Sequence, residues 1–419
     1  MERTTTTLQG CSREVRISLV KSELKPHYEE AYVKAQAGIT LPGFRKGKVP
    51  VAMIKQRFGR EIESEALETI ADSEFRAFAQ AESQKVVGSP ALTDIQKSAE
   101  GVEFTIRYEV LPDIELGTYR GLTLNRPIKE VTEEDVQREI DRICMRAATF
   151  EQADQIDGTL YLVSMTMHEL DRETSMPIIG AEAQESRVFL EDDSVDMHLR
   201  SSLTNCKVGD SFTYVAETQD ENAQPPSYRV TVSDIQRVVP AEFTNEFVEM
   251  VTTNRMHTTE ELRADIESQI RDYFERATQQ SLENQLIDQL VAAHPMDLPE
   301  PLVHSVMHRL FDDFKQRNEG APGIDKLTAH DLENDLRPPA ERIVRWELIR
   351  DQIVQAENLA MTDEDLTAAS ERYGIGEDHL RMLMRQNQSI EDQILAEKAV
   401  KTLIDYAIIT DVNVDQIDD

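Results

Sequence analysis

The sequence predicts a multidomain α+β protein with an N-terminal α+β domain, a β-rich middle domain and an all-helical C-terminal domain with arms. A length of 419 residues exceeds one ordinary core, so two to four domains are expected. Short runs with alternating apolar residues occur before residue 112 and again between residues 158 and 240. The apolar spacing of amphipathic helices takes over from Thr258 onward.

The N-terminal domain is predicted over residues 1–112, which end near Pro112. Residues 13–20 alternate apolar and polar side chains, and residues 102–110 do so most clearly, with five apolar or aromatic side chains on one face. A helix is predicted after Pro26. A second should start at Pro50 and run through Phe58, and a longer one should extend from about Glu61 to Ser83.

Residues 113–150 are predicted to form an extended linker and a helix. Thr132 opens that helix with Asp135 at the capping-box position, and the helix should reach about Phe150. The chain then becomes strand-like in the runs LYLVSMTM, RVFL, DSFTYVAE and YRVTVSDIQRVV, which polar loops separate. These runs predict a β-rich domain over residues 151–240.

Residues 241–419 are predicted to be helical. Helices are expected over 258–293, in one piece or broken in the middle, over 299–317, after Pro338 and Pro339, near 363–373 and 376–387, and from Ile390 to Ile409. Apolar stripes with Met and Leu run through 296–314 and 379–395, and such stripes are usually core. The alternative is that part of each stripe faces a cavity, where Met side chains adapt to varied apolar partners.

Charge is distributed unevenly along the chain. The formal net charge is -34, with 79 Asp and Glu against 45 Lys and Arg, which argues against wholesale nucleic-acid binding. Residues 1–60 nevertheless carry 12 Lys and Arg against 5 Asp and Glu. We therefore expect a polyanionic partner at this end only. The 14 Lys against 31 Arg raise the further hypothesis of adaptation to a salt-rich cytoplasm.

Several function classes lack sequence support. The patterns GxxxxGK[ST], GxSxG and GxGxxG after a strand do not occur, so nucleotide hydrolysis, serine-hydrolase chemistry and dinucleotide binding are not indicated, and no cofactor is expected. Cys11, Cys144 and Cys206 lack CxxC spacing and are predicted to be reduced. His304 and His308 have the spacing of a metal-binding helix face, but no general-base glutamate follows His304, so no metal site is predicted.

Hydropathy predicts a cytoplasmic protein without a membrane partner. No run approaches the roughly 18 apolar residues of a membrane span. The first twenty residues also lack the apolar segment of a secretory signal.

The segment LPGFRKGKVP, residues 41–50, is the basic loop. Gly43 and Gly47 permit backbone conformations that let the tip protrude and present Phe44. Arg45, Lys46 and Lys48 can then meet phosphate oxygens or an acidic protein patch. A solvated basic turn is the alternative.

The sequence GFRKGKVP resembles the ribosome-docking signature of the trigger factor family, which comprises bacterial ribosome-associated chaperones. The resemblance continues through QRFG, VEFTIRYEVLPDIEL and RPIKEVTEEDVQREIDRICMRAATFE, and so covers residues 13–150. The region from residue 241 is similar in length and helical texture. A family member of this kind is expected to bind nascent and unfolded polypeptides without ATP and to assist folding and export.

The resemblance implies roles for the loop residues. Phe44, Arg45 and Lys46 would contact a ribosomal protein and adjacent RNA at the exit tunnel. The implied ribosome-binding residues are Gly43, Phe44, Arg45, Lys46, Gly47 and Lys48. The resemblance also implies that the free protein can form a homodimer.

For the middle domain the resemblance implies an FKBP-type peptidyl-prolyl isomerase fold, and isomerase activity is the alternative function. The sequence departs from the family here, because runs resembling IPGFE and FP..Y are missing and only KVGDSF and the flanking strands are similar. The available aromatic side chains are Phe189, Phe212, Tyr214 and Tyr228. An isomerase of this type desolvates and twists the prolyl amide in an apolar pocket, so we expect weak or absent activity.

Overall fold

A computed structural model describes residues 2–42, 44–171, 174, 176–178, 180–216, 225–321 and 323–413. Two compact units are distinguished by their internal contacts. The first combines residues 1–127 with residues 279–412, and the second consists chiefly of Ile128–Thr278. The predicted multidomain α+β class is confirmed.

The N-terminal part of the first unit is a four-stranded antiparallel sheet covered by two helices. The sheet order is β1-β2-β4-β3. Its elements are β1 Glu2–Thr7, β2 Ser12–Val20, α1 Lys21–Gln36, α2 Val51–Ala81, β3 Val86–Lys97 and β4 Gly101–Val110. The inward residues of β2 and β4 are buried, and in the register Ile17 faces Phe104. Helix α2 covers this face with Leu67, Ile70 and Phe75.

Two helix boundaries differ from the prediction. Helix α1 begins at Lys21, before Pro26, because the Glu23 carboxylate accepts the Val20 N–H at 3.1 Å and caps the first turn. The two helices expected after Pro50 are one continuous helix, α2, with Gly59 in its interior. A β-carbon at Gly59 would lie 3.3 Å from the Tyr32 hydroxyl, so the glycine makes room for the neighbouring helix.

The helical part of the first unit is built around two further core clusters. Its helices are the end of α6 (Thr259–Ala293) from Gln279 on, α7 Glu300–Arg317, α8 Glu333–Ala356, α9 Asp363–Tyr373, α10 Glu377–Gln386 and α11 Gln388–Asp405. Leu286, Leu290 and Ile349 form the centre of one cluster. Val303, Met307 and Val344 form the centre of the other.

Three expectations for this region are corrected. Helix α6 is unbroken. Helix α8 starts before Pro338 and Pro339, since ion pairs of Arg337 hold its first residue, Glu333, and connect the helix start to Glu300 of α7. The last helix ends at Asp405, and β11 (Ile408–Asn413) follows and pairs with β5 (Thr123–Ile128) in a two-stranded sheet.

The second unit contains a five-stranded sheet and short helices. Its elements are α3 Glu133–Arg146, β6 Thr149–Gln152, β7 Tyr161–Glu169, β8 Gln184–Phe189, α4 Met197–Leu203, β9 Ser211–Val215, β10 Ser227–Val239, α5 Asn245–Thr252 and the start of α6. The sheet order is β6-β10-β7-β8, with β9 also pairing with β10. The Thr132–Asp135 capping box is confirmed. Helix α3 ends at Arg146 instead of Phe150, because the chain turns there into β6.

Across the described ranges, no helix is long and apolar enough to cross a membrane.

Candidate functional site

The two ends of the basic loop are anchored in an apolar cluster between α1 and α2. Leu41 is 7% exposed and Val49 is 0% exposed, and both pack with Tyr32, Ile54 and other apolar side chains. A hydrogen bond that the sequence does not predict also holds the loop: the Gln36 side-chain amide donates to the Val49 carbonyl at 2.6 Å. The loop is therefore a fixed feature of the domain surface at both of its ends.

The tip of the basic loop is two successive turns. The Phe44 N–H donates to the Leu41 carbonyl at 3.1 Å, and the Lys48 N–H donates to the Arg45 carbonyl at 2.9 Å. Gly47 is the third residue of the second turn and has φ +75°, a conformation that strongly favours glycine. Gly47 thus adopts a backbone conformation that other residues resist, as the sequence predicts. Gly43 lies outside the described residues.

Phe44 and the loop cations point to solvent. The Phe44 side chain is 37% exposed, an unusual position for an aromatic ring that has an apolar cluster next to it. Arg45, Lys46 and Lys48 are exposed as well. None of these three cations has an ion pair within the described part of the chain, although the protein as a whole is acidic. An exposed ring beside three free cations can make both an apolar and a phosphate contact.

A buried tyrosine supports the loop from below. The Tyr32 hydroxyl donates to the Glu63 carboxylate, and the Lys55 ammonium lies 5.6 Å from the centre of the Tyr32 ring. Burial, followed by the hydrogen bond to Glu63, raises the pKa of Tyr32. The phenol therefore remains a protonated donor, and it fixes α1 against α2 directly under the loop. No local sequence pattern indicates this pair, because its partners are 31 positions apart.

The apolar stripes of the helical region are mainly core. Leu302, Val306 and Leu310 pack into the cluster around Val303, and Met384 and Ile394 pack into a smaller cluster around Leu366. A few members remain outside, including Met382 at 47% exposure and Phe314. The core interpretation therefore holds for most of each stripe, and a few of its side chains are exposed to solvent.

A cavity of about 680 Å³ opens between α6, α8, α9 and α11. Ile287, Trp346 and Val400 contribute apolar surface, and the Asp365–Lys398 ion pair at 2.6 Å stands at its edge. Burial alone would raise the pKa of Asp365, but the hydrogen bonds from Lys398 and from Thr362 together outweigh burial and lower this pKa. An apolar recess with a charged edge can accept an apolar side chain of an unfolded polypeptide.

The aromatic residues of the middle sheet do not converge on one pocket in the described residues. Phe212, Tyr214 and Tyr228 pack against the core of the sheet, and Tyr214 faces Tyr228 across β9 and β10. Phe189 is half-buried on β8, opposite Leu162 of β7. A cavity of about 560 Å³ lies nearby, and Tyr214 is the only aromatic residue among those that line it.

The two histidines of α7 are solvent-exposed. The His304 Nε2 lies 3.7 Å from a Glu300 carboxylate oxygen, one turn earlier on the same helix. Among the residues that the structure describes, no group of three or more His, Cys, Asp or Glu side chains could hold a metal ion.

Comparison with known families gives two matches that flank the middle sheet. Residues 1–143 match the family described as bacterial trigger factor protein. Residues 258–405 match the C-terminus of bacterial trigger factor protein.

Individual relatives agree with these matches over nearly the whole chain. The trigger factor of Chlorobium limicola is 27% identical over 374 residues, which cover 89% of this chain and 87% of the relative. That of Salinibacter ruber is 26% identical over 434 aligned positions, 97% of this chain and 93% of the relative. A solved structure of the trigger factor chaperone shares the fold at a TM-score of 0.50 and 16% identity, and the match covers 97% of this chain and 99% of that one.

The family matches identify a ribosome-associated molecular chaperone that binds nascent chains. The chain belongs to the trigger factor family.

Proposed function

We propose that the basic loop docks this chaperone on the ribosome beside the exit tunnel. Phe44 packs on a ribosomal protein, and Arg45 and Lys46 bind that protein and adjacent RNA, with Lys48 adding positive charge. Gly47 shapes the second turn, and Gly43 is assigned the same role from the sequence. The observation that carries the proposal is that the loop has buried ends and a tip with an exposed Phe44 ring and three cations that form no ion pair within the described residues.

The geometry suits a docking element for an energetic reason. A loop that is already held by Val49 and by the Gln36 hydrogen bond loses less conformational entropy on binding than a free loop would. Phosphate contacts add affinity at low salt, and the exposed ring adds an apolar contact that salt does not screen.

The helical region is proposed to shield emerging apolar segments without ATP. The recess beside Trp346 and the exposed Met382 offer apolar surface of adaptable shape. The proposed domain spans remain residues 1–112, 113–150, 151–240 and 241–419. We further propose that the protein acts in the cytoplasm, and that it forms homodimers when it is free of ribosomes.

The middle domain is proposed to have weak or absent prolyl isomerase activity. Three of its four candidate aromatic residues pack against the sheet core, and only Tyr214 of the four lines the nearby cavity, so they do not jointly enclose a prolyl ring in the described residues. Refolding of a proline-limited substrate is slow enough without catalysis to reveal modest activity. Acceleration by catalytic amounts of the full-length protein would contradict this part of the proposal.

The docking proposal is tested by replacing Phe44, Arg45 and Lys46 together with alanine. We expect the variant to lose cosedimentation with ribosomes and to keep its binding to an unfolded model client. Lys25→Ala with Lys34→Ala is the matched control, because these exposed cations of the same domain are paired with Glu29 and Glu30. Wild-type cosedimentation of the triple variant would refute the assignment of the loop.

A further inference from the structure

A second basic surface continues from the loop along the start of α2. Lys55, Arg57 and Arg60 are exposed on its first three turns. The sequence contains no Asp or Glu between Glu30 and Glu61. The positive stretch of the domain therefore extends well beyond the loop.

Part of this surface forms a regular stripe. Met53, Arg57 and Arg60 follow each other at spacings of four and three residues, which places them on one face of the helix. All three are exposed, whereas Ile54 and Ile62 on the opposite face are buried. The α2 stripe, defined by Met53, Arg57 and Arg60, spans about 10 Å along the helix axis.

The two arginines of the stripe, Arg57 and Arg60, form neither an ion pair nor a side-chain hydrogen bond within the described ranges. Other cations of the domain are engaged, since Lys34 lies 2.9 Å from Glu30 and the Lys55 ammonium lies over the Tyr32 ring. Two free guanidinium groups side by side repel each other slightly and gain only from an external anion.

The start of α2 adds to this positive potential. Its first turn contains no acidic side chain, and Pro50 provides no side-chain cap. The positive end of the helix dipole is therefore uncompensated by local carboxylates, and it lies between the basic loop and the α2 stripe.

The same helix face also marks where the surface ends. Continuing from Arg60 in steps of four, the next positions are Ser64, Glu68 and Asp72, and all three are exposed. Glu61, which directly follows Arg60 and lies one turn after Arg57, is exposed as well. A polyanion that follows the stripe would therefore be repelled from Glu61 onward. The basic surface of α2 thus ends with Arg60, about three turns into the helix.

We propose that Arg57 and Arg60 bind backbone phosphates of ribosomal RNA, so that the RNA footprint extends from the basic loop along the α2 stripe. This inference rests on the proposed docking function. A phosphate backbone needs only accessible donors on a convex surface, and guanidinium groups can bind phosphates in bidentate fashion. An acidic protein partner would gain from a shaped apolar recess, whereas the stripe offers only Met53.

The test is a double variant, Arg57→Gln with Arg60→Gln, measured in the full-length protein. Ribosome affinity is determined across a series of salt concentrations, with Lys25→Gln and Lys34→Gln as the control pair. Each lost phosphate contact should reduce the slope of log affinity against log salt by about 0.7 to 0.9. We therefore expect a slope smaller by about 1.5, and affinity lower by on the order of tenfold near 0.1 M salt. The control pair should change neither quantity.

A second measurement separates RNA from protein as the partner. Binding of wild type and double variant to deproteinised ribosomal RNA should differ by a similar factor. An unchanged salt slope on ribosomes overturns the inference. Weaker binding to ribosomes with unchanged binding to the RNA assigns the stripe to a ribosomal protein and also overturns it.

The variant of the basic loop distinguishes failure of this inference from failure of the docking proposal. If replacing Phe44, Arg45 and Lys46 abolishes docking while the double variant behaves as wild type, only the α2 stripe is misassigned. If the loop variant also docks normally, the docking function itself is wrong. Thermal unfolding of each variant verifies that these exposed substitutions leave the fold intact.

Discussion

The exposed arginines at the N-terminal end of this protein differ from those of the linker, residues 113–150, in whether they pair with carboxylates of the same chain. In the basic loop and the α2 stripe, the cations lie in solvent without carboxylate partners in the described residues. In the linker, by contrast, Arg120 lies 2.6 Å from Glu357 and Arg126 lies 2.7 Å from Asp411. The proposed docking function accounts for the unpaired cations, whereas the paired cations contribute to the stability of the fold.

The largest expected effect is a loss of stability when the apolar cluster that holds the ends of the basic loop is altered. Ile54→Ala removes a side chain with 0% exposure from the cluster that also holds Leu41 and Val49. It should lower the free energy of unfolding by about 2–5 kcal/mol, because the cavity left behind collapses only partly. Chemical denaturation monitored by far-UV circular dichroism measures this loss.

The neighbouring residue provides the control for that measurement. Met53 is 37% exposed, so Met53→Ala should change stability by less than about 0.5 kcal/mol. Equal losses of unfolding free energy for the two variants would mean that the apolar cluster does not hold the ends of the loop.

Added salt should lower the affinity of the basic surface for ribosomes and raise the stability of the acidic remainder of the protein. Ribosome affinity should fall by about a hundredfold between roughly 50 and 200 mM salt if about five cations contact phosphate. The stability of the acidic remainder should rise over the same range, since screening relieves repulsion within a chain of net charge -34. Affinity titrations and thermal unfolding in the same buffers test both halves, and parallel trends would break the comparison.

A smaller effect is expected from the shape of the loop. Gly47→Ala places a β-carbon at φ +75° and should destabilise the second turn by about 1 kcal/mol. Ribosome affinity should fall several-fold, and Gly47→Asn should fall less because asparagine tolerates this conformation better. Equal affinities for alanine and asparagine would show that the charges matter and the turn does not.

The smallest effect concerns the paired cations. The hydrogen bonds from Arg120 and then from Tyr119 lower the pKa of Glu357. A carboxylate with a lowered pKa in the folded state stabilises the fold above the unfolded-state value of about 4.3, and that contribution disappears as pH falls through the folded-state value. The melting temperature should thus exceed that of Glu357→Gln at neutral pH, with the difference shrinking below about pH 4. A difference that stays constant down to pH 2 would contradict this pairing.

Elements with strong local patterns could be predicted from the sequence. The alternation that ends in Tyr108 and Val110 identified β4, and Thr132 with Asp135 identified the start of α3. The exposed tip of the basic loop was also predictable, because Phe44 among glycines and cations has no apolar neighbours in the sequence with which to pack.

Other elements could not be predicted because their determinants are tertiary. Strand β1 is exposed along its whole length and carries no apolar alternation, so only its pairing with β2 makes it a strand. The sequence pattern predicts helices only after Pro26 and Pro338, yet each proline lies in the second turn of a helix whose first turn is held by side chains. The hydrogen bond from Gln36 to Val49 joins residues 13 positions apart, beyond the reach of local pattern reading.

The pairing of β5 with β11 has a consequence for how this protein is made. The Arg126–Asp411 contact within that pairing joins residues 285 positions apart. At about 5–20 residues per second, roughly 15 to 60 s pass between the synthesis of these two strands. During that time β5 lacks the strand with which it pairs, and the first unit can close only after β11 has been made. Until then, the chaperone is an incomplete polypeptide of the kind it binds.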